Sequence, residues 1–332
     1  MKRYFWFLGG VFVLLMGVWI LFAPNVRNEQ ISFFIPKNAT FPQLMDSLGK
    51  YDVLKNQTTF KMASKVMLYR NVRTGKYVMD KGMSNFDLLM MLRKGQHYPV
   101  KFTFNNVRTK EQLMNKLSKY YFLFEWQDLY QLLNDQPFLE KYQLTPETVM
   151  AIFIPNTYEF YYDITAVEFF EKMFHYYQEF WNEERKGEAE AIGFTPLEVV
   201  TLASIVEEEN FREKEKAIIA GLYINRLRAD MPLQADPTIK FAVGDFSIKR
   251  VLNEHLTVES PYNTYKYKGL PPGPIRIPTP STVDSVLHYT HHNYMYMCAK
   301  EDFSGTHNFT NNYQEHLRNA AKYRAALSAI SQ

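Results

Sequence analysis

Three consecutive glutamates, Glu207, Glu208 and Glu209, close an apolar run that starts at Thr195. The run reads as a helix. Thr195 can cap its first turn, Pro196 sits where a missing N–H costs nothing, and Glu198 completes a capping box. At about 100° per residue, Leu202, Ile205 and Val206 share one stripe. Glu209 is the i+7 position, about 20° from Leu202, so it continues that stripe, whereas Glu207 and Glu208 fall about 140° and 240° away. The expectation is one carboxylate aimed into the protein and two aimed elsewhere. A carboxyl group held against apolar neighbours keeps its proton, because its charged form is disfavoured. General acid catalysis of glycosidic-bond cleavage needs such a group. The partial negative charge of the helix C-terminus acts in the same direction. The competing reading is a solvated helix end that continues as charged surface through residues 211–216.

Composition narrows the class. The chain has 332 residues, room for two domains with real cores, and a net charge of +3. Near balance of acids and bases argues against a nucleic-acid protein. Aromatics make up 16% of the chain, which suits a carbohydrate cleft and equally a core. The single cysteine, Cys298, excludes an internal disulfide framework and a cysteine-based zinc site, and by default reads as a buried, inert thiol. His291 and His292 are adjacent, and neighbours do not converge on one ion as an i, i+4 pair does. Neither a metal nor a cofactor is expected.

Residues 4–23 form an uncharged, largely apolar run long enough for a membrane helix, preceded by Lys2 and Arg3 and ended by Pro24-Asn25. The basic flank places the N-terminus in the cytoplasm and the rest of the chain outside it. A cleaved signal peptide is the alternative, but the run is long for one and no Ala-x-Ala site follows. Residues 1–24 are therefore expected to be an uncleaved inner-membrane anchor with a periplasmic body.

Residues 25–30 then read as a short polar linker. Three segments repeat a pattern: Thr40-Phe-Pro-Gln-Leu-Met-Asp-Ser-Leu48, Ser84-Asn-Phe-Asp-Leu-Leu-Met-Met-Leu92 and Thr109-Lys-Glu-Gln-Leu-Met-Asn-Lys-Leu117. Each has a cap, a Gln or Asp three residues on, and leucines at fixed spacing, and each follows a plausible strand. Such α+β units could pack as one module. Residues 166–186 read as one long amphipathic helix ended by Gly187. A boundary near Met150 separates a module over 25–150 from a domain over 151–332. After Glu209, residues 214–229 read as a second helix whose Ala217, Ala220 and Gly221 allow close packing on the first. Residues 231–238 read as extended, residues 282–287 as a helix, 294–299 as a strand, 307–312 as a polar loop and 313–330 as a terminal helix. Ordered-looking loops rich in Pro, Asn and Tyr suggest a binding cleft on a helical scaffold.

Six motifs occur in an order that resembles the MltG (YceG-like) family. They are Leu202-Ala-Ser-Ile-Val-Glu-Glu-Glu209, Asn225-Arg-Leu227, Leu233-Gln-Ala-Asp-Pro-Thr238, Tyr262-Asn-Thr-Tyr265, Gly269-Leu-Pro-Pro-Gly-Pro-Ile275 and His307-Asn-Phe309. Ile35-Pro-Lys37 and Ile154-Pro-Asn-Thr-Tyr158 extend the resemblance almost end to end. It implies a membrane-anchored endolytic murein transglycosylase, α+β in class, with a LysM-like module before a helix-centred catalytic domain. Its substrate would be the glycan strand of peptidoglycan, cut without water to leave a 1,6-anhydro-muramic end, and its partners would include peptidoglycan synthases. The family's catalytic glutamate falls on Glu209, with Glu207 as the alternative register. The substrate-binding set implied is Asn225, Gln234, Asp236, Tyr262, Asn263, Thr264, Tyr265, His307 and Asn311. Asp236 is expected to cap a turn before Pro237; as a second carboxylate it would instead make the protein a hydrolase. A glycan-binding scaffold without catalysis is the reading from a different class. The sequence departs from the family at Arg276-Ile-Pro-Thr-Pro-Ser281, at His288-Tyr-Thr-His291 and at Asn210.

Overall fold

The computed structural model of the chain describes residues 2–27, 31–95, 97–120, 122, 124–209 and 212–330. Asn210 lies outside the described residues. The class is α+β, with two-stranded sheets among many helices. Contacts divide the chain into two compact units, residues 1–102, 118–125 and 158–166, and residues 103–117, 126–157 and 167–332. Met150 therefore lies inside the second unit.

The first unit contains α1 (Lys2–Phe22), β1 (Ile31–Ile35), α2 (Phe41–Lys50), α3 (Gln57–Val66), β2 (Gly75–Met79) and α4 (Asn85–Lys94). β1 and β2 pair antiparallel with Phe33 opposite Tyr77. The capping boxes expected at Thr40 and Ser84 form with Gln43 and Asp87. Phe33, Ile35, Leu44, Leu48, Tyr77, Leu88 and Leu92 fill one core from two of the three repeats. The third repeat, β3 (Val100–Phe104) and α5 (Lys110–Leu117), does not join them. β3 pairs with β4 (Asn156–Phe160), and α5 belongs to the second unit. The repeat is thus recurrent local chemistry rather than a three-part module.

The expected linker is also not one, where it is described. Val26 is fully buried, and Asn25 donates to Asn85 Oδ1 at 2.7 Å and to the Asn56 carbonyl at 2.9 Å. The Asn85 amide in turn donates to the Ile20 carbonyl at 2.7 Å, which ties the end of α1 to α4. The apolar part of α1 is Trp6–Phe22, and among the described residues no single helix is long and apolar enough to cross a membrane by itself.

The second unit holds α6 (Trp126–Leu132), α7 (Gln136–Glu140), α8 (Ala166–Phe180, which begins at the unit boundary), α9 (Glu183–Ile192), α10 (Pro196–Glu209), α11 (Glu213–Arg228), α12 (Asp236–Val243), α13 (Pro280–Leu287), β5 (Tyr296–Ala299), β6 (His307–Thr310) and α14 (Tyr313–Ile330). The single helix expected over 166–186 is two. Trp181 is buried at the break, and Asn182 caps α9 by accepting from the Arg185 N–H at 3.0 Å. Gly187 lies inside α9; Gly193, left-handed at φ 86°, ends it. The expected polar loop at 307 is instead β6, paired antiparallel with β5.

α10 is the centre of this unit. Thr195 and Glu198 close the expected capping box, Thr195 N–H to Glu198 Oε2 at 2.8 Å and Glu198 N–H to Thr195 Oγ1 at 3.3 Å. Every residue from 199 to 207 is buried, so the helix is enclosed on all sides rather than along one stripe. Gly221 on α11 does not serve α10 as expected. It faces the loop of Tyr289, Thr290 and His292, where an added Cβ would overlap the Thr290 carbonyl oxygen. Gly221→Ala is expected to cost about 1–3 kcal/mol by overpacking. Gly187→Ala, in open space on α9, should gain about 0.5–1 kcal/mol. Denaturant unfolding of the two variants beside the parent checks the pair; a neutral Gly221→Ala would contradict the close approach.

Candidate active site

The three glutamates at the end of α10 meet three environments. Glu207 is buried and its Oε2 accepts from the Thr279 N–H at 2.7 Å, Thr279 Oγ1 at 2.9 Å and Thr282 Oγ1 at 2.6 Å. Arg276 Nη2 lies 3.5 Å from its other oxygen. Glu208 takes a two-pronged contact from Arg108, at 2.6 and 3.1 Å, and a third from Arg276 Nη1 at 2.9 Å. Neither points away from the protein as the stripe suggested; both are drawn into ionic and hydroxyl partners. The 276–281 segment supplies two of those partners, Arg276 and Thr279, beside Thr282 and Arg108.

Glu209 has a different partner. The Tyr223 hydroxyl donates to its Oε1 at 2.6 Å, and the carboxyl faces a cavity of about 460 Å³. Burial pushes its pKa from 4.5 up to about 7. The Tyr223 hydrogen bond and Lys240 pull it down, while the Asp236 and Glu208 carboxylates push it up. Tyr223 is itself held far above its ordinary value, first by burial and then by Glu209, so it remains a donor.

Four residues expected from the sequence share this cavity with Glu209: Gln234, Asp236, Tyr265 and His307. Asp236 does not cap a turn. It opens α12, where Ala235 is the N-cap, and its Oδ1 accepts from the Tyr265 hydroxyl at 2.6 Å. Gln234 is left-handed at φ 51°, with its Oε1 held by Arg226 Nη2 at 2.6 Å. His307 meets the Glu215 carboxylate through Nδ1 at 2.9 Å and through its backbone N–H at 3.0 Å.

The other expected residues do not line the cavity; most build the frame around it. Asn225 donates to the carbonyls of His292 at 2.8 Å and Tyr294 at 3.1 Å. Asn263, fully buried, donates to the carbonyls of Leu256 and Val258 and accepts from the Tyr265 N–H at 3.0 Å. Thr264 binds the Ala235 N–H at 3.1 Å and the Thr238 hydroxyl at 2.8 Å, and its carbonyl accepts from the Gln234 N–H at 3.0 Å. Tyr262 packs on Phe241 with ring centroids 4.7 Å apart, and burial pushes its hydroxyl up to about 12. Asn311 is exposed.

Sequence reasoning missed Tyr223, Arg226, Tyr296, Tyr313 and His316, all of which line the cavity. Tyr223 and Arg226 were accessible as an i, i+3 pair on one helix face beside Asn225. Cys298 also lines the cavity, half-buried, with its thiol pushed up by burial so that it stays protonated.

With this geometry in view, the YceG-like family model matches residues 33–322. A Bacillus subtilis protein named endolytic murein transglycosylase is 28% identical, over 88% of this chain and 84% of that protein. A Streptococcus pneumoniae protein of the same name is 26% identical, over 89% of this chain and 59% of the longer relative. A crystal structure of a YceG-like protein from Listeria monocytogenes superposes with a TM-score of 0.58 at 26% identity, covering 87% of this chain and 98% of that one.

The raised pKa of Glu209 has a consequence for stability. The folded state binds its proton more tightly than the unfolded chain does. Relative to an uncharged side chain, the carboxyl is therefore unpenalised below about 4.5 and increasingly destabilising as pH rises to about 7, then constant. Glu209→Gln is expected to match the parent near pH 4 and to exceed it by at most roughly 3 kcal/mol above pH 7. Denaturant unfolding across this range checks it; a pH-independent difference would contradict the raised value.

Proposed function

Because the chain belongs to the YceG-like family, we propose that it cuts peptidoglycan glycan strands as an endolytic murein transglycosylase, the activity for which its Bacillus and Streptococcus relatives are named. The observation that carries this reading is Glu209, a carboxyl raised to about 7 and facing a cavity large enough for sugar rings. At neutral pH much of it is protonated, as a general acid must be.

The scissile bond is the β-1,4 link from MurNAc to GlcNAc. With Oε1 engaged by Tyr223, Glu209 gives its proton to the glycosidic oxygen, and the bond from MurNAc C1 to that oxygen breaks. The 6-hydroxyl of the same MurNAc attacks C1 and returns its proton to the Glu209 carboxylate. One C–O bond breaks, one forms, and no water is consumed. The product carries a 1,6-anhydro-MurNAc end. Gln234, Asp236, Tyr265 and His307 bind sugar polar groups, and the Asp236 carboxylate stabilises positive charge developing on the ring. Asn225, Asn263 and Thr264 are positioning residues that hold the loops in place.

Asp236 on the same cavity also favours a second reading. Ordinary glycosidases use two carboxylates, and Asp236 could activate water and make the reaction hydrolytic.

The module over residues 25–150 is read as LysM-like, binding glycan. The helix α1 anchors the chain in the bacterial inner membrane, with the N-terminus inside and the body on the periplasmic side, near peptidoglycan synthases. Trp6–Phe22 spans about 25 Å against a hydrocarbon core of about 30 Å. Local thinning of the bilayer accommodates that difference. Tyr4, Trp6, Phe7, Phe12 and Leu14 are all well exposed on α1, as lipid-facing side chains would be.

Mass spectrometry of purified glycan strands after incubation with the full chain tests the chemistry. Anhydro-MurNAc ends are expected from the parent and should be reduced at least a hundredfold in Glu209→Gln, consistent with loss of a general acid. Reducing ends that gain water would move the assignment to hydrolysis through Asp236. Absence of products from a folded parent would overturn the enzymatic reading. In Asp236→Asn the alkaline limb of the pH–rate profile is expected to shift to lower pH, since that carboxylate raises the Glu209 value. Alkaline extraction of membranes tests the anchor: the parent should stay in the membrane pellet and Leu14→Arg should be released.

A further inference from the structure

We propose that the start of α14 together with β5 forms an aromatic wall on which a sugar ring of the substrate stacks. The proposal rests on the reading of this cavity as a glycan cleft, and it assigns the wall to residues outside every motif that suggested the family.

Tyr296 from β5 and Tyr313 and His316 from α14 line the same cavity as Glu209. Their rings form one cluster. The centroid of Tyr296 lies 5.4 Å from His316 at an interplanar angle of 28°, and 5.4 Å from Tyr313. Tyr313 and His316 are 6.2 Å apart at 27°. The Arg226 guanidinium lies over the Tyr296 ring, 5.9 Å from its centroid. The same guanidinium holds Gln234, so the aromatic wall is tied to the polar side of the cavity.

Exposure separates Tyr313, at the open edge of this cluster, from core packing. Tyr313 is 54% exposed, whereas Tyr223 in the same cavity is 1% exposed. A large ring left open at the edge of a cavity is a surface without its partner. His316 adds a flat face rather than a charge. Burial first, then Arg226 and Arg324, push its pKa down, so the imidazole is neutral near pH 7. Its Nδ1 is buried and makes no hydrogen bond among the described residues.

The wall is also preorganised. β5 is locked to β6 with Tyr296 opposite Thr310. Thr310 Oγ1 donates to Glu315 Oε2 at 2.6 Å, and the Glu315 N–H donates to Asn312 Oδ1 at 3.1 Å. The beginning of α14 is therefore fixed to the strand pair. Met297 and Ala299 extend the lining along β5.

The chemistry matches a β-linked N-acetylhexosamine. Its ring presents apolar C–H faces and a polar rim, and its acetamido methyl is apolar. The aromatic cluster offers a stacking surface for a ring face, while Gln234, Asp236 and Tyr265 offer hydrogen-bonding groups for the rim.

Binding of labelled, purified glycan strands to the full chain in detergent tests the wall, in a Glu209→Gln background so that no turnover intervenes. Tyr313→Ala is expected to weaken binding about tenfold and Tyr296→Ala by a similar factor, while Tyr313→Phe keeps affinity within about twofold. In the otherwise unchanged enzyme, Tyr313→Ala should raise KM about tenfold, with kcat and the pH profile little changed. Tyr313 is exposed, so its truncation leaves the fold intact, which thermal unfolding verifies. Unchanged affinity in both alanine variants overturns the wall, even if the parent makes anhydro ends. Weakened affinity with a parent that makes no anhydro ends sustains the wall and overturns the catalytic reading. A fall in kcat with KM unchanged also overturns the stacking role.

Discussion

Three adjacent carboxylates leave water together at the end of α10, and much of the second unit is arranged around that cost. An uncompensated ion in a protein interior is penalised by several kcal/mol. Glu207 is compensated by a backbone N–H, two threonine hydroxyls and Arg276. Glu208 is compensated by two guanidinium groups. Among the described residues Glu209 has the Tyr223 phenol for a direct hydrogen-bond partner, and it answers desolvation by holding a proton. What separates the Glu209 carboxyl from its neighbours is therefore the partners each one meets. The network runs on into α11 through Lys216, which donates to Thr282 Oγ1 at 2.7 Å and pairs with Glu213. Together these contacts anchor the helix end that carries Glu209.

The sequence made Glu209 legible through its place at i+7 from Leu202, and the structure does turn that residue toward a cavity. The same helical geometry misread Glu207 and Glu208, because it assumed a helix with a solvent face. α10 has none over residues 199–207, and whether a carboxylate on an enclosed helix is tolerated depends on partners far away in the chain. Arg108 and Arg276, one hundred and sixty-eight positions apart in numbering, are invisible to a local pattern. Capping boxes at Thr40, Ser84 and Thr195 were readable because each is closed within four residues. The break at Trp181 was not, since a buried indole and an Asn182 cap look the same as the middle of an amphipathic helix.

The motifs that carried the family resemblance divide in two once side chains are in place. Gln234, Asp236, Tyr265 and His307 present atoms to the cavity, while Asn225, Asn263 and Thr264 turn theirs to backbone groups, to one threonine and to the His292 ring. Both groups have the residue types expected of sugar contacts, so type alone could not sort them. Tyr223 reads in sequence as one more core aromatic, yet it supplies the direct hydrogen bond to Glu209. β5 and α14, which close the far end of the chain, return to the same cavity. The candidate site is thus assembled from α10, α11, the start of α12, the 262–265 loop, β5, β6 and α14, all within one compact unit.

The claim on which this account depends is that the carboxyl of Glu209 stays protonated toward neutral pH. Carbon-13 NMR of the full chain, labelled at glutamate side-chain carboxyls and assigned by difference against Glu209→Gln, measures it directly. The account predicts one carboxyl resonance titrating with a midpoint near 7. A midpoint near the ordinary value of 4.5 would contradict it, and would leave the cavity without its acid.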